Sequence, residues 1–284
     1  MSAANRILLD LLASRTGQCV PESRRWRLET ALVGVLREQG LGSVDALVAR
    51  LTQPGEGALA RQVVEALLNN ETYFFRDRAM FDLLAKQVLP ALAEQRARQR
   101  RLSIWSVGCS TGQETLSLAM LFAGQHARWA DWTIDILGTD VSQSAIDTAR
   151  QGRYSQFEIQ RGLGMTEMIA SFEEAGEGWQ AKPRLRNMVR YEVGNLLDRR
   201  ASARRFDLVL CRNVLLYFDA PNRARAFTRL ADALTSDGLL MLGGGETVIG
   251  QTDRLVPARG IQGLYRPAEL RAVSRFSPAQ RATS

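Results

Sequence analysis

The chain has 284 residues, with 37 lysines and arginines against 30 aspartates and glutamates, which leaves a formal net charge of +7. Its 45% apolar and 24% charged residues are ordinary for a globular protein, and its length predicts one large or two modest domains. The sequence contains no run of about 20 apolar residues, which excludes a membrane-spanning helix. Its first residues have neither the basic start nor the cleavage site of a signal peptide.

The cysteine and histidine content limits the chemistry further. Three cysteines, Cys19, Cys109 and Cys211, are far apart and odd in number. This pattern disfavours a disulfide framework and predicts a reducing, cytoplasmic compartment. The single histidine, His126, excludes a histidine-rich metal site and most histidine-based acid–base catalysis, so we predict no metal centre.

The N-terminal part of the chain is predicted to be helical. Over residues 5–70 apolar residues recur at intervals of three and four, and a second helix is predicted to start at residues 21–23. A non-periodic stretch rich in aromatic residues, 69–77, is followed by a long helical pattern. We therefore predict an N-terminal helical domain over 1–76 and a linker helix over 77–100.

From Arg101 onward, short apolar runs alternate with helical patterns. Such alternation predicts an α/β fold with a mostly parallel sheet and right-handed crossovers. We assign this domain to residues 101–271. A stretch rich in Gly, Glu and Arg at about 153–188 interrupts the alternation and predicts an inserted subdomain, and the polar residues 272–284 predict a flexible tail.

Two segments together predict a nucleotide-type site. Gly108 and Gly112 lie in a loop of small residues between a strand and a helix, where a backbone can approach a ligand closely. Asp140 ends the next strand, a position at which an acid accepts hydrogen bonds from ribose hydroxyls. A ligand-free turn and a helix N-cap are the alternatives, but the combination favours ribose binding at the carboxyl edge of the sheet.

Two further segments are candidates on weaker grounds. Arg212 and Asn213 follow a buried strand, and Tyr217 comes shortly after them, so all three are expected at the same sheet edge. They are otherwise ordinary loop and core residues. Arg76 stands beside two phenylalanines in the non-periodic stretch 69–77, which is either a functional segment or a hinge that packs aromatic residues between the two domains.

Positive charge is concentrated in one segment. Between Lys182 and Arg205 there are eight basic and two acidic residues, a local charge of +6. A basic face suits nucleic acid, anionic lipid or an acidic protein, and the alternative is a solvated loop with surplus arginines.

Five segments in order carry a resemblance to a known family. They read NNETYFFRD, WSVGCSTGQE, ILGTDVSQSAIDTARQGRY, GNLLD and FDLVLCRNVLLYFD. This set closely resembles the CheR-type chemotaxis receptor methyltransferases, over about residues 5–268. One departure lies at Thr115-Leu116-Ser117, where the family usually reads Pro-Tyr-Ser; it concerns packing at the start of a helix.

The resemblance implies a fold and an activity. The expected fold is a Rossmann-like class I methyltransferase domain with a small inserted antiparallel β-subdomain, preceded by a helical domain. The expected reaction transfers a methyl group from S-adenosylmethionine to glutamate side chains of methyl-accepting chemoreceptors and leaves S-adenosylhomocysteine. The expected partner is the acidic helical bundle of a receptor, bound by a monomer in the cytoplasm without nucleic acid or membrane insertion, in an association that weakens as salt rises.

The resemblance also implies roles for individual residues. The cofactor-binding set is Asn70, Thr72, Arg76, Gly108, Glu114, Asp140, Asn195, Leu196, Arg212 and Asn213. Within it, Asn195 and Leu196 flank the adenine. Arg76 and Tyr217 are the catalytic candidates, Arg76 as a fork for the incoming carboxylate and Tyr217 as a hydrogen-bonding group near the methyl.

The residue types suit this chemistry. A glutamate carboxylate has an ordinary pKa of about 4.3, so it is already an anionic nucleophile at neutral pH and needs no general base. Three alternatives stay open from the sequence: a methyltransferase that acts on RNA or another protein, a non-catalytic adaptor that binds the cofactor, and, more distantly, a nicotinamide-dependent oxidoreductase. The short insert around residues 175–179 argues against docking of a receptor C-terminal peptide on the β-subdomain.

Overall fold

The computed structural model describes residues 2–198, 204–258 and 260–268. Its first part is four helices, α1 (Ala3–Thr16), α2 (Arg27–Glu38), α3 (Val44–Leu51) and α4 (Gly57–Leu67). Leucines and valines at three- and four-residue spacing point inward and form a separate apolar core. The segment Glu22–Arg24 is a 3-10 turn, so α2 begins at Arg27 rather than at residues 21–23.

A long helix leads from the helical region to the sheet. It consists of α5 (Arg78–Leu83), a five-residue π-helical segment (Leu84–Val88) and α6 (Leu89–Gln95). Pro90 carries no N–H and cannot donate to the carbonyl one turn earlier, which explains a widened turn just before it. The regular helix ends at Gln95, five residues before the end of the predicted range, and turns follow to Arg100.

The described residues after this helix contain ten strands, and seven of them form the main sheet. The strands are β1 (Arg101–Val107), β2 (Thr133–Asp140), β3 (Arg153–Ser155), β4 (Phe172–Ala175), β5 (Gly178–Ala181), β6 (Val189–Val193), β7 (Phe206–Cys211), β8 (Leu234–Leu242), β9 (Leu255–Pro257) and β10 (Leu264–Pro267). The main sheet has the order β6-β2-β1-β7-β8-β10-β9, parallel from β6 to β8 and antiparallel in the last two strands.

Helices cover both faces of this sheet. They are α7 (Gln113–Gly124), α8 (His126–Trp129), α9 (Gln143–Gln151) and α13 (Ala220–Ala233), with α10 (Gln156–Gln160), α11 (Met165–Ser171) and α12 (Pro183–Arg186) in the inserted region. One apolar core lies between the sheet and α5 to α7, and another between the sheet and α13. The predicted α/β fold class is confirmed, with its helical region before the sheet and its small antiparallel sheet inserted.

The inserted region forms a three-stranded antiparallel sheet in the order β3-β5-β4. Phe74, from the non-periodic stretch, packs edge-on against Tyr154 and Phe172 of this sheet. Gly162, at φ 107°, lies so close to this stretch that a Cβ there would come within 1.9 Å of the Phe74 carbonyl oxygen. The insert is therefore packed directly on the segment that leads into the linker helix. The domain boundaries stay predictions, and residues 272–284 lie outside the described residues.

An ion-pair network fixes the end of α6 to the sheet. The Arg96 guanidinium donates to Asp207 over 2.7 Å and to both oxygens of Asp237 over 2.6 and 2.7 Å. Arg96 holds the pKa of Asp237 at about 2, below its usual 3.8. A carboxyl whose folded pKa is lowered contributes stability above its ordinary pKa and loses it on acidification, here between about pH 4 and pH 2.

Arg96→Met should lower the free energy of unfolding by about 3 kcal/mol, because Asp207 would remain as a nearly buried charge without its cation. Thermal unfolding should then shift down by about 6–12 °C. The matched control is Arg100→Met, whose partner Asp131 is exposed, and there we expect a loss of less than about 1 kcal/mol. Equal shifts for the two variants would contradict the buried-charge explanation.

Among the described residues, no helix is both long and apolar enough to cross a membrane.

Candidate active site

The main cleft lies at the carboxyl ends of β2, β1 and β7. The chain runs from β1 to β2 on one side and later returns to β7 on the other, so the cleft occupies the switch point where ligands bind in open α/β sheets. Its far wall comes from the helical region, with Thr16, Gln18 and Arg24, and from the stretch that follows α4.

All eleven residues predicted as site residues line this one cleft. They are Asn70, Thr72, Arg76, Gly108, Glu114, Asp140, Asn195, Leu196, Arg212, Asn213 and Tyr217. They come from parts of the sequence up to 147 positions apart. That each of them contacts a cofactor or a substrate stays a prediction.

Asp140 is held at the base of the cleft by the loop after β1. Its carboxylate accepts the backbone N–H of Ser110 over 2.8 Å and that of Ser142 over 3.0 Å. Burial raises the pKa of Asp140, and the backbone N–H groups of Ser142, Ser110 and Val141 oppose that shift. The N-cap of α9 is Ser142, whose hydroxyl accepts the Ala145 N–H, so Asp140 is not that cap.

The loop itself requires residues that tolerate positive φ. Gly108 has φ 67° and Gly112 has φ 95°, and a Cβ on Gly108 would come within 2.4 Å of Val214. Glycine at this position lets the loop approach the segment after β7 closely. Both walls of the cleft are thus fixed against each other.

The start of α7 is polar and fully bonded where the sequence departs from the family pattern. The Thr115 hydroxyl donates to the Gly112 carbonyl over 2.8 Å and lies 2.7 Å from the Tyr191 hydroxyl. The Ser117 hydroxyl accepts the Phe75 N–H over 2.9 Å. The departure therefore leaves no unsatisfied group at this end of the helix and ties it to the non-periodic stretch.

Arg212 forms a buried ion-pair network beside the cleft. Its guanidinium donates to Glu114 over 3.0 Å, to Asp77 over 2.7 Å and to the Arg76 carbonyl over 2.7 Å, and its side chain is only 2% exposed. Glu114 in turn accepts the Ser106 hydroxyl over 2.8 Å. This network joins the ends of β1 and β7 to the start of α5.

Tyr217 is held by two residues that the sequence did not indicate. Its hydroxyl accepts from Asn69 Nδ2 over 2.6 Å and from the Arg24 guanidinium over 3.3 Å. Its carbonyl accepts the Cys19 N–H over 2.7 Å. Arg24 belongs to the 3-10 turn before α2, and the only signal it offered was a basic residue outside the periodic segments.

The non-periodic stretch serves both purposes considered from the sequence. Phe74 and Phe75 are buried between the insert, α5 and α7. Tyr73 and Arg76 line the cleft instead. Arg76 donates to the Glu71 carbonyl over 3.1 Å and lies 5.7 Å from the Tyr73 ring centre.

Asn70 and Asn195 act as structural links as well as lining residues. The Asn70 carbonyl accepts the Ser110 hydroxyl over 2.7 Å. The Asn195 amide donates to the carbonyl of Thr16 over 3.2 Å at the end of α1 and accepts the Leu197 N–H over 2.9 Å. Both asparagines therefore hold the helical region against the loops of the sheet, and contact of Asn195 with an adenine stays a prediction.

The basic segment is engaged within the molecule. Lys182 and Arg184 donate to carbonyls at the end of α11. Arg190 and Arg204 both pair with Asp135. Arg199 and Arg200 lie outside the described residues. In the described part of this segment these basic side chains make intramolecular contacts, which neither a basic docking face nor a solvated loop with surplus arginines anticipates.

Cysteine nucleophiles do not fit this site. Burial raises the pKa of the Cys109 thiol, and the Asp140 and Glu114 carboxylates raise it further. Burial likewise raises the pKa of the Cys211 thiol. Both side chains are therefore protonated at neutral pH and act as small apolar groups.

The residues present fit a cofactor that carries a nucleoside. A carboxylate offers about four lone-pair directions, so Asp140 retains acceptor capacity after accepting two N–H groups. A Cβ on Gly194, which also lines the cleft, would meet no atom within 4 Å, so space is open there. The charged residues that line the cleft are balanced, with Glu71, Glu114 and Asp140 against Arg24, Arg76 and Arg212.

This arrangement defines a class of protein: a Rossmann-like α/β protein that binds a nucleoside-containing cofactor at its switch point. The family model "CheR methyltransferase, SAM binding domain" matches residues 70–261. "Chemotaxis protein methyltransferase 1" of Pseudomonas aeruginosa is 35% identical over 255 residues, which cover 87% of this chain and 92% of that protein. "Chemotaxis protein methyltransferase Cher2" of Pseudomonas putida is 34% identical over 246 residues, covering 85% and 89%.

The chain belongs to the CheR methyltransferase family. It is an S-adenosylmethionine-dependent methyltransferase of chemotaxis, and the resemblance drawn from the sequence motifs is confirmed. A similar protein from Vibrio cholerae, "Chemotaxis protein methyltransferase 1", is 31% identical over 251 residues and covers 87% of this chain and 90% of its own length.

Proposed function

We propose that the protein methylates glutamate side chains on the cytoplasmic helical bundle of chemoreceptors. The observation that carries this proposal is a single cleft in which a buried acid of the nucleoside-binding type, Asp140, shares walls with Arg76 and Tyr217. Arg76 and Tyr217 are the two groups suited to receive and orient a carboxylate. The names of the similar proteins support a role in chemotaxis.

Substrate binding in this proposal depends on Arg76. Of the five N–H donors of a guanidinium, Arg76 uses one on the Glu71 carbonyl among the described residues. The others are available to form a bidentate pair with a glutamate carboxylate. The glutamate is ionised at neutral pH, so Arg76 has to place it without removing a proton from it.

Tyr217 is oriented to donate. Its oxygen accepts hydrogen bonds from Asn69 and Arg24, and these occupy its acceptor sites. The hydroxyl proton is then free to point to a carboxylate oxygen of the substrate. Tyr217 thereby fixes one oxygen, while the second is left to react.

Cofactor binding depends on Asp140 and the loop from Gly108 to Gly112. Asp140 accepts the ribose hydroxyls, and the close backbone approach at Gly108 shapes the adjoining wall. When bound, S-adenosylmethionine would supply an electrophilic methyl carbon on a sulfonium, and as the carboxylate oxygen bonds to this carbon the C–S bond breaks and the neutral thioether of S-adenosylhomocysteine leaves. The main task of the protein is to hold the carboxylate oxygen in line with the methyl carbon and the sulfur, at short range.

Methyl transfer to a receptor tests this function. Purified protein, tritiated S-adenosylmethionine and receptor cytoplasmic fragments should give base-labile label on receptor glutamates, and a fragment with these glutamates changed to alanine should give none. Label on total RNA instead would favour the nucleic-acid alternative. Cofactor binding without transfer to any receptor would favour the adaptor.

We further propose that the protein acts as a monomer in the cytoplasm and is recruited to membrane-bound receptors without nucleic acid. Support comes from the cleft, because one chain supplies all eleven lining residues predicted for the site. The intramolecular contacts of Arg190 and Arg204 argue against a nucleic-acid surface in that segment. Sedimentation of the protein alone measures its oligomeric state, and sedimentation with receptor fragments measures its binding to receptors.

A further inference from the structure

A single carboxylate holds the loop that follows β7. Glu246, in the turn after β8, accepts backbone N–H groups with both oxygens. Oε2 accepts from Asn213 over 2.8 Å and from Gly243 over 3.0 Å. Oε1 accepts from Val214 over 3.0 Å and from Leu215 over 2.8 Å.

The backbone N–H groups of this loop need an acceptor with two oxygens, such as a carboxylate. Asn213 has φ 61°, a left-handed conformation that an L residue adopts only at a cost. The turn directs the N–H groups of three consecutive residues, 213 to 215, to one side. Without the carboxylate, these partly buried donors would lose their partners, and the free-energy cost would favour another loop conformation.

Gly243 makes the close approach possible. A Cβ at Gly243 would come within 2.9 Å of Glu246 Oε2 and within 3.1 Å of the Asn213 nitrogen. Glycine at the end of β8 thus lets the carboxylate reach the loop of the neighbouring strand. Beyond the last paired residues of the two strands, Cys211 and Leu242, the Glu246 carboxylate continues the connection between them.

The loop has anchors at both ends and Glu246 in the middle. Arg212, at its start, is fixed by Glu114 and Asp77. Tyr217, at its end, completes the 3-10 turn Leu215–Tyr217. Glu246 binds the backbone between these two anchors. A change at Glu246 therefore alters the conformation of the loop that connects Arg212 to Tyr217.

We propose that Glu246 is a positioning residue for methyl transfer: through the backbone of Asn213, Val214 and Leu215 it sets the place of Tyr217 in the cleft. The assignment of Tyr217 to the transfer step rests on the proposed function. The hydrogen bonds that Glu246 accepts from the described residues come from backbone N–H groups, so its effect passes through the loop.

Glu246→Gln is the discriminating variant. Glutamine keeps the size of the side chain but replaces one acceptor oxygen with an NH₂ group, which would face two backbone N–H groups. We expect kcat with a receptor fragment to fall roughly 10- to 100-fold, because small misplacements of reacting groups are costly. The Kd for S-adenosylhomocysteine should rise by less than about tenfold, because Asp140 keeps its own hydrogen bonds to Ser110 and Ser142, although Asn213 and Val214 line the cleft.

The matched control is Glu158→Gln. Glu158 also accepts a backbone N–H, that of Ser155, but in the inserted subdomain and outside the lining of the cleft. Its kcat should equal that of the wild type. If Glu246→Gln lowers only the melting temperature and the folded enzyme keeps its kcat, the positioning role is wrong. Should this variant not fold, Gly243→Ala tests the same contact, and unchanged kcat in it overturns the proposal.

A second readout does not depend on activity. In protein labelled with 3-fluorotyrosine, the Tyr217 resonance can be assigned with Tyr217→Phe. Glu246→Gln should shift this resonance, and Glu158→Gln should leave it in place. An unmoved Tyr217 resonance in Glu246→Gln contradicts the proposal, whereas a wild-type protein inactive on receptors contradicts the proposed function and leaves this readout valid.

Discussion

Asp140→Asn should weaken the binding of S-adenosylhomocysteine roughly 100-fold, because hydrogen bonds to a charged acceptor contribute about 1.5–3 kcal/mol and two ribose hydroxyls are expected to donate here. The asparagine has the same shape but only one acceptor oxygen. It also has to satisfy the N–H groups of Ser110 and Ser142. Isothermal titration calorimetry on the folded variant measures the loss directly.

The control for this variant is Asp147→Asn. Asp147 lies on α9, exposed, and pairs with Arg150 and Gln143 away from the main cleft. Its Kd for S-adenosylhomocysteine should not change. A Kd that is unchanged in Asp140→Asn as well would remove Asp140 from the cofactor site and leave it only a role in shaping the loop.

The pH dependence of cofactor binding offers a check with a definite sign. Burial raises the pKa of Asp140 above its usual 3.8. Protonation removes acceptor capacity, so affinity for S-adenosylhomocysteine should fall as the pH drops through this raised pKa. In Asp140→Asn this part of the pH dependence should disappear.

The parts of the site that follow strands could be predicted from the sequence. Gly108 and Arg212 each come directly after a strand and Asp140 ends one, and parallel strands bring their carboxyl ends to one edge. Alternation of strands and helices also predicted the sheet and the position of the insert. These features depend on local periodicity and on a few topological rules.

The residues that were missed depend on contacts between distant elements. Arg24 meets Tyr217 across 193 positions of sequence, and Asn69 meets it across 148. Glu246 reaches the loop after β7 because two parallel strands end side by side. Periodicity shows which face of an element is buried, but it does not show which loop of the helical region faces the cleft.

The predicted ends of two helices were wrong because of local backbone details. Residues 21–23 contain a proline and polar groups typical of a helix start, and the chain does turn there, but as a 3-10 turn that places Arg24 in the cleft. The linker helix follows its predicted pattern as far as Gln95 and contains the π-helical segment before Pro90. Neither detail changes the hydrophobic pattern, so neither was visible in it.

Arg76→Ala should lower kcat for receptor methylation by roughly 100-fold or more, because the variant loses the fork that holds the substrate carboxylate at reacting distance. The melting temperature should change little. Within the described part of the chain the Arg76 side chain has one hydrogen bond, to the Glu71 carbonyl, and one contact with the Tyr73 ring, so few folding interactions are removed. Steady-state kinetics with a receptor fragment, paired with thermal unfolding, separate the two effects.

Arg161→Ala is the matched control for this change. Arg161 lies over the same tyrosine ring, 4.5 Å from its centre, and pairs with Glu71 over 2.7 Å, but it does not line the cleft. Both variants therefore remove a cation from Tyr73, and only Arg76→Ala removes one that faces the substrate. A large loss of kcat in Arg76→Ala with near wild-type activity in Arg161→Ala assigns the effect to the carboxylate fork. Equal losses would instead mean that the arginines act by holding the stretch around Tyr73, and the catalytic role of Arg76 would have to be abandoned.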